Sequence, residues 1–479
     1  MSNIKKNLIY SMAYRILTLI TPLITSPIIS RAFGAKGIGL YSATIAYVTY
    51  YTLFSMLGIE NYGNRSISAV QSDLDSRSSL FWEIYSVQIV SSIASILVYI
   101  CSFVFIDRER WVLSLIQGIW LLSYLFDINW FFFGMEQFKI TVVRNIIIKT
   151  ITVLIIALFI KNEGDLYLYA MVMGLGAFIG QIVLWFNINK LVKFKKPVYS
   201  KVKKHIIPIL KLYVPIIAIS LFRLMDKSML DLFSTERDVG YYYNADKIIS
   251  IPLGVTTAVS SVFMPRISNV IHNNSINAAK NLISKSVELS FLLISAVSFG
   301  IAAIANEFVP LFFGSGYDKC VILIYLFVPV LIIKNMENII CQQYLIPCHK
   351  DNLYIVAMFS GALANIISNI CLISYLGARG AVIGTLIAEI VILLVLLLNS
   401  KDFPFTKWFF RQSNYIVFGI IMFAFVRLIA KYALLNSFLK VMIMICSGAI
   451  VYSISCLIWG LVNKKSILYN LIHKKIGRL

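Results

Sequence analysis

The chain has 479 residues, 59% of them hydrophobic and 14% charged, with a formal net charge of +21 and a mean hydropathy of +0.82. Soluble domains sit near about 45–50% apolar, so the composition excludes a soluble globular protein and describes a polytopic membrane protein with little mass outside the bilayer. The positive charge lies in short loops between apolar runs, the pattern that orients membrane helices, and nucleic acid is excluded as its partner.

Lys5 and Lys6 precede a long apolar run without a small-residue cleavage site, so the first helix is expected to stay in the protein. About fourteen spans follow at the length a helix needs to cross a bilayer: 8–30, 40–62, 81–106, 111–133, 141–160, 166–189, 212–233, 246–268, 287–306, 320–346, 353–375, 380–398, 413–434 and 438–462. The apolar stretches are long rather than alternating, which excludes a strand barrel.

The largest basic cluster is Lys190, Lys193, Lys195, Lys196, Lys201, Lys203, Lys204 and Lys211, and the C-terminal tail adds Lys464, Lys465, Lys474, Lys475 and Arg478. The positive-inside rule puts both and the two chain ends in the cytoplasm, where they rest on anionic lipid. The loops on the other face are too short for a catalytic domain, so the chain does not read as an enzyme. Seven scattered cysteines form no Cys-x-x-Cys pair, and no nucleotide-binding loop or metal-ligand pattern is present, so no cofactor and no metal are expected.

The seventh span carries Arg223, Asp226, Lys227 and Asp231 where charge should be absent. With Ser220 they fall within an arc of roughly 140°, taking about 100° per residue. Ionised groups near a bilayer centre cost at least about 2.5–3.5 kcal/mol each and face protein or a wet cavity. Similar faces are expected on span one (Ser11, Arg15, Thr18, Pro22, Thr25 and Ser26) and span ten (Lys334, Glu337, Asn338, Cys341 and Gln342). Span eight adds Asp246, Lys247, Ser250 and Thr257. Arg offers a fork and Lys a point charge to phosphate, while Asn and Gln match hydroxyls. The candidate substrate-binding set is therefore Arg15, Arg223, Asp226, Lys227, Lys247, Lys334 and Glu337. The competing reading is internal pairing, Arg223 with Asp226 and Lys334 with Glu337. Glu60, Asp127, Glu288 and Glu389 are candidate proton-relay carboxylates that spacing does not rank. Lys149 and Arg427 look isolated. The four histidines, His205, His272, His349 and His473, fall in expected cytoplasmic loops or the tail.

The chain also repeats itself. Gly39 and Tyr41 match Gly240 and Tyr242 at an offset of 201 residues, and Arg65 matches Arg266 at the same offset. Spans 1–6 and 7–12 then form two parallel six-helix lobes, as in transporters with parallel repeats. The expected division is 1–200, 201–400, and 401–479 for the last two spans and tail.

Two segments carry a family resemblance: Ser30-Arg31-Ala-Phe-Gly34-Ala-Lys-Gly37-Ile-Gly39-Leu-Tyr41-Ser42 and Leu57-Gly58-Ile-Glu-Asn-Tyr62-Gly63-Asn-Arg65-Ser-Ile67. They resemble the multidrug/oligosaccharidyl-lipid/polysaccharide exporter superfamily, and within it the Wzx-type flippases of bacterial polysaccharide synthesis. The resemblance implies an all-α membrane fold with two bundles in a V plus a C-terminal helix pair. It implies alternating-access transfer of an undecaprenyl-pyrophosphate-linked oligosaccharide across the cytoplasmic membrane for capsule or O-antigen-type polysaccharide. Membrane lipids, the lipid-linked substrate and a polysaccharide polymerase with other assembly proteins are the implied partners. The alternative within the superfamily is a small-molecule or drug/cation antiporter. Arg31, Gly34, Gly39, Gly58, Gly63 and Arg65 are the motif positions; Gly34, Gly37 and Gly39 are expected to form a hairpin turn.

Overall fold

The computed structural model describes residues 2–103, 110–273, 275–432 and 436–463, with side chains described except at 2–19, 218, 219 and 221–223. Among the described residues the fold is helical and contains no strand. The helices are α1 (Ser2–Met56), α2 (Ile59–Ala69), α3 (Leu74–Ser102), α4 (Trp111–Leu125), α5 (Asn129–Gly134), α6 (Phe138–Phe159), α7 (Leu166–Ile188) and α8 (Tyr199–Phe233), then α9 (Glu236–His272), α10 (Ile276–Phe313), α11 (Asp318–Ile340), α12 (Asp351–Leu376), α13 (Ala378–Asn399), α14 (Phe405–Arg411), α15 (Ser413–Tyr432) and α16 (Ser437–Val462).

Eleven helical stretches among the described residues are long and apolar enough to cross a membrane. They coincide with expected spans three to six and eight to fourteen. Of the other three, spans one and seven fall inside α1 and α8, and span two runs from α1 across the break at 57–58 into α2. Isoleucine, leucine and phenylalanine cover much of the outer faces of these helices, for example Val90, Leu97 and Ile100 on α3, as a lipid-facing surface requires.

The expected glycine hairpin at 34–39 is a single-residue break instead. Only Gly34 leaves helical geometry (φ 60°, ψ −178°), and the helix resumes directly after it. Gly37 and Gly39 are helical, because one left-handed residue is enough to redirect the chain. The corresponding break in the second half of the repeat, between α8 and α9, lies at Ser234–Thr235, where Thr235 caps α9 by accepting from the Asp238 backbone N–H. Positions 34 and 235 are separated by the same 201 residues as the sequence repeat.

The chain divides into two compact units, Met1–Asp231 and Leu232–Leu479. The first has an aromatic core in which Phe81, Trp130, Phe131 and Phe132 are fully buried. Phe81 stacks on Trp130 with centroids 5.5 Å apart, and the Trp130 indole N–H donates to Gln88 Oε1 at 2.9 Å, satisfying its one polar group. Gly63 of α2 lies directly under that indole: a Cβ there would come within 2.4 Å of Trp130 Cε3. Gly58 does the same for α8, where a Cβ would meet the Ile209 carbonyl oxygen at 2.3 Å. These two motif glycines therefore set how closely α2 approaches its neighbours.

In the second unit α9, α10 and α11 pack on one another, α13 packs on α11 and α9, α12 pairs with α13, and α15 and α16 pack against α10. Below α11 the helix widens into a π-turn at Cys341–Leu345, a local form common at functional positions. Its Gln343 is fully buried and donates to Ser286 Oγ at 2.7 Å. Past the π-turn, Tyr344 and Lys350 both donate to Asp402, at 2.6 and 2.8 Å.

Two outcomes follow. Gly63→Ala should destabilise the first unit by roughly 1–3 kcal/mol, the usual cost of overpacking, because the buried indole has no room to yield. A lowered thermal midpoint of the purified protein in detergent checks this. The hydrogen bond from Lys350, then that from Tyr344, holds the Asp402 carboxyl below the usual aspartate range. Its contribution is present above the ordinary aspartate value and is lost as pH falls through the lowered one. Asp402 is mostly exposed, so Asp402→Asn should cost less than about 1 kcal/mol. It should flatten only the acid limb of a pH–stability profile.

Candidate functional site

Charges in apolar helices need partners, and the structure supplies them between helices rather than along one. Lys334 of α11 pairs with Glu389 of α13, and Glu337, the partner that helical spacing suggested, interacts with the charges of both. Glu389 is 1% exposed and Glu337 7%. Asn338, one turn below Lys334, donates to Ser260 Oγ on α9 at 3.0 Å. Lys247, also on α9, lies over the Tyr243 ring with its ammonium 4.3 Å from the centroid.

In the first unit Asp226 is buried and Lys227 half-buried; both make polar interactions. Next to them Ser228 donates to the Tyr50 hydroxyl at 3.3 Å. Asp231, read as part of the same stripe, is held by Arg110 instead: one guanidinium nitrogen reaches both its oxygens, at 2.8 and 2.7 Å. The side chains of Arg15 and Arg223 lie outside the described residues. Of the motif positions, Arg31 and Arg65 are exposed while Gly39 and Gly63 are buried. The motif thus mixes surface cations with packing glycines.

Three other expectations change. Arg427 is not isolated: it donates to Glu307 Oε2 at 2.7 Å, and Lys440 stands 3.6 Å from the other oxygen. Lys149 also has a partner. His205 is not a loop residue but part of α8. Its Nδ1 sits 2.7 Å from the Tyr62 hydroxyl and its Nε2 3.1 Å from Glu83 Oε2.

Sequence reading missed Arg144. It is 7% exposed and donates to Gly180 O, Gln181 Oε1, Asn129 Oδ1 and Asn145 Oδ1 at 2.7–3.1 Å. Asn129 in turn donates to Asp127 Oδ1 at 2.7 Å. The signal in the sequence was polar residues within three apolar spans, Asp127 and Asn129, Arg144 and Asn145, and Gln181, and they become a network only when α5, α6 and α7 are assembled.

The arrangement is that of a membrane protein with ionised groups held inside each helical unit, and neither unit contains among its described residues a group of metal-ligating side chains. Residues 4–271 match the sequence profile of the family described as Polysaccharide biosynthesis protein. The chain belongs to that family. It is 21% identical over 407 residues to a protein named O-antigen transporter in Escherichia coli strain K12, covering 84% of this chain and 97% of that one. A low-salt glycan biosynthesis flippase of Haloferax volcanii is 25% identical over 241 residues, covering 49% and 50% of the two chains. Among solved structures, the fold is shared with a lipid II flippase in an inward closed conformation (TM-score 0.71, 18% identity, 94% of this chain and 98% of that one). It is shared too with an inward-facing multidrug resistance transporter of the MOP superfamily (TM-score 0.66, 12% identity, 82% and 95%). The fold class read from the sequence, an all-α polytopic protein of the multidrug/oligosaccharidyl-lipid/polysaccharide exporter type, is borne out.

Arg144→Ala should lower stability by about 3–5 kcal/mol, the range for removing one member of a buried charged network, because four acceptors lose their donor at once. Arg144→Lys should recover only part, since an ammonium cannot reproduce the planar fork. The thermal midpoint of the detergent-purified variants checks both.

Proposed function

We propose that this protein is a flippase that carries undecaprenyl-pyrophosphate-linked oligosaccharide repeat units across a bacterial cytoplasmic membrane for surface polysaccharide synthesis, by alternating access. Membership of the polysaccharide biosynthesis family supports this reading, as does a fold shared with a lipid II flippase. The observation that carries it is the charged stretch of α8, where buried Asp226 and half-buried Lys227 follow the apolar run that begins after Lys211. An ionisable residue within a spanning helix points by default to the path of a polar cargo. A lipid pyrophosphate brings phosphate charge for Arg and Lys and sugar hydroxyls for Asn and Gln.

In this reading Arg15, Arg223, Lys227, Lys247 and Lys334 supply positive charge along the path, while Asp226 and Glu337 orient it. The division into lobes at 200/201 follows the sequence repeat, and the terminal helix pair stands outside it. The chain ends and the 190–211 segment lie in the cytoplasm, with a polymerase and other assembly proteins taking up the carried units on the outer side. The protein moves its cargo without chemical change.

Deleting the protein should leave lipid-linked repeat units intact, unpolymerised and confined to the cytoplasmic leaflet. Lys227→Ala should reduce transport about ten- to hundred-fold, the value of one charge-assisted hydrogen bond of roughly 1.5–3 kcal/mol, at unchanged membrane abundance. Repeat units that reach the outer leaflet at the normal rate in the deletion strain, with no second flippase present, contradict the assignment.

A further inference from the structure

At one end of the second unit, the ends of α9, α11, α12 and α13 surround a cavity of about 590 Å³, a size within the range of about 300–1,000 Å³ usual for ligand pockets. Its charged lining is Asp238, Lys319 and Arg379. Asp238 is fixed from two sides. The hydroxyls of Ser234 and Thr235 donate to its Oδ2 at 2.8 and 3.2 Å. Gly377, at φ 56°, lies against the same oxygen, where a Cβ would come within 2.6 Å. The Lys319 ammonium stands 3.7 Å from Oδ1, a charge contact longer than a hydrogen bond. Among the described residues neither Lys319 nor Arg379 donates a hydrogen bond to a protein acceptor. Their donors are open to the cavity and to solvent.

Two cations and one carboxylate leave the lining with one positive charge, which a phosphodiester, with its single negative charge, balances. Arg offers such a group a planar fork and Lys a movable point charge. The surroundings say where the phosphodiester comes from. On α12, Leu363, Ile367 and Ile370 are 52–60% exposed. At about 100° per residue they share one face, and the next position on that face is Ser374, which lines the cavity. An apolar stripe of the kind that faces lipid thus runs along the helix and ends at the cations. Tyr375 beside it is 89% exposed, as is usual for an aromatic ring at the level of lipid headgroups. A soluble anion has no use for the stripe, whereas an acyl chain does.

We propose that this cavity is a binding site for an anionic phospholipid of the surrounding membrane. The lipid phosphate lies between Lys319 and Arg379, and an acyl chain lies along the Leu363–Ile367–Ile370 face of α12. Asp238, held by Ser234 and Thr235, keeps Lys319 at the rim without consuming its hydrogen bonds, and it disfavours a ligand of higher negative charge. The site belongs to the second unit alone and does not depend on the transport reading.

Native mass spectrometry tests this on the full chain, purified in detergent, stripped of lipid and titrated with dioleoyl phosphatidylglycerol. The first lipid should bind the wild type at least about ten-fold more tightly than it binds Arg379→Gln or Lys319→Gln, the effect of losing one charge-assisted hydrogen bond. Lys319→Arg should keep the tight binding. Dioleoyl phosphatidylcholine, whose choline cancels the phosphate charge, should bind more weakly and make no distinction between wild type and variants. Both glutamine variants change exposed side chains, and their size-exclusion profiles should match that of the wild type. Equal affinity of phosphatidylglycerol for the wild type and both variants overturns the proposal. So does displacement of the bound lipid by an equal concentration of soluble glycerol phosphate, which would make this a site for a free anion. Displacement by a lower concentration of undecaprenyl pyrophosphate would give the pocket to the carried lipid and overturn its assignment to membrane phospholipid.

Discussion

Everything in this protein follows from one constraint: an ionised group inside an apolar helix must find its counter-charge or hydrogen-bond partners within the protein. Lys334 finds Glu389, Asp231 finds Arg110, and Arg427 finds Glu307. Arg144, whose interactions include four side-chain and backbone oxygens, is held by three helices at once. All of these contacts but that of Arg144 with Asn145, its neighbour in α6, reach beyond the helix that carries the charge. They tie helices whose apolar faces alone would give lipid and protein little reason to differ, since hydrocarbon is as apolar as leucine.

Packing supplies the second half of the account. Gly58 and Gly63 let α2 approach α8 and the Trp130 indole at distances no larger residue tolerates. Those contacts bring Tyr62 to His205 and hence α2 to Glu83 on α3. A motif that looks like a string of conformationally free glycines is mostly a device for close approach, and only Gly34 uses its freedom of φ. The two helix breaks, at 34 and 235, fall at the spacing of the sequence repeat, so the duplication can be followed in backbone geometry as well as in residue identity.

The fold was legible because membrane spans are written in composition. Eleven expected spans lie within helices of the right length, since twenty apolar residues in lipid have few alternatives to a helix. Charge partners were not legible, because helical spacing compares a residue only with its neighbours along the same helix. Lys334 was paired on paper with Glu337, three residues away, whereas its partner lies 55 residues further on in α13. Asp231 was grouped with its own helix for the same reason, and Arg144 was overlooked because Asp127, Asn129 and Gln181 come together only in three dimensions. His205 was read as a loop residue because the lysines around it mark the membrane edge, yet α8 begins six residues before it.

The central claim is that charge inside these helices borders a water-accessible path through protein rather than lipid. A cysteine-accessibility measurement tests it most directly, in a background where the seven natural cysteines are replaced by serine. Lys227→Cys on α8 should react with a water-soluble thiol reagent added to intact membranes. Val90→Cys, at a 70% exposed position in the middle of α3, should react only with a membrane-soluble one. If Lys227→Cys is as unreactive as Val90→Cys toward the water-soluble reagent, the charged stretch of α8 borders no such path and the account is wrong.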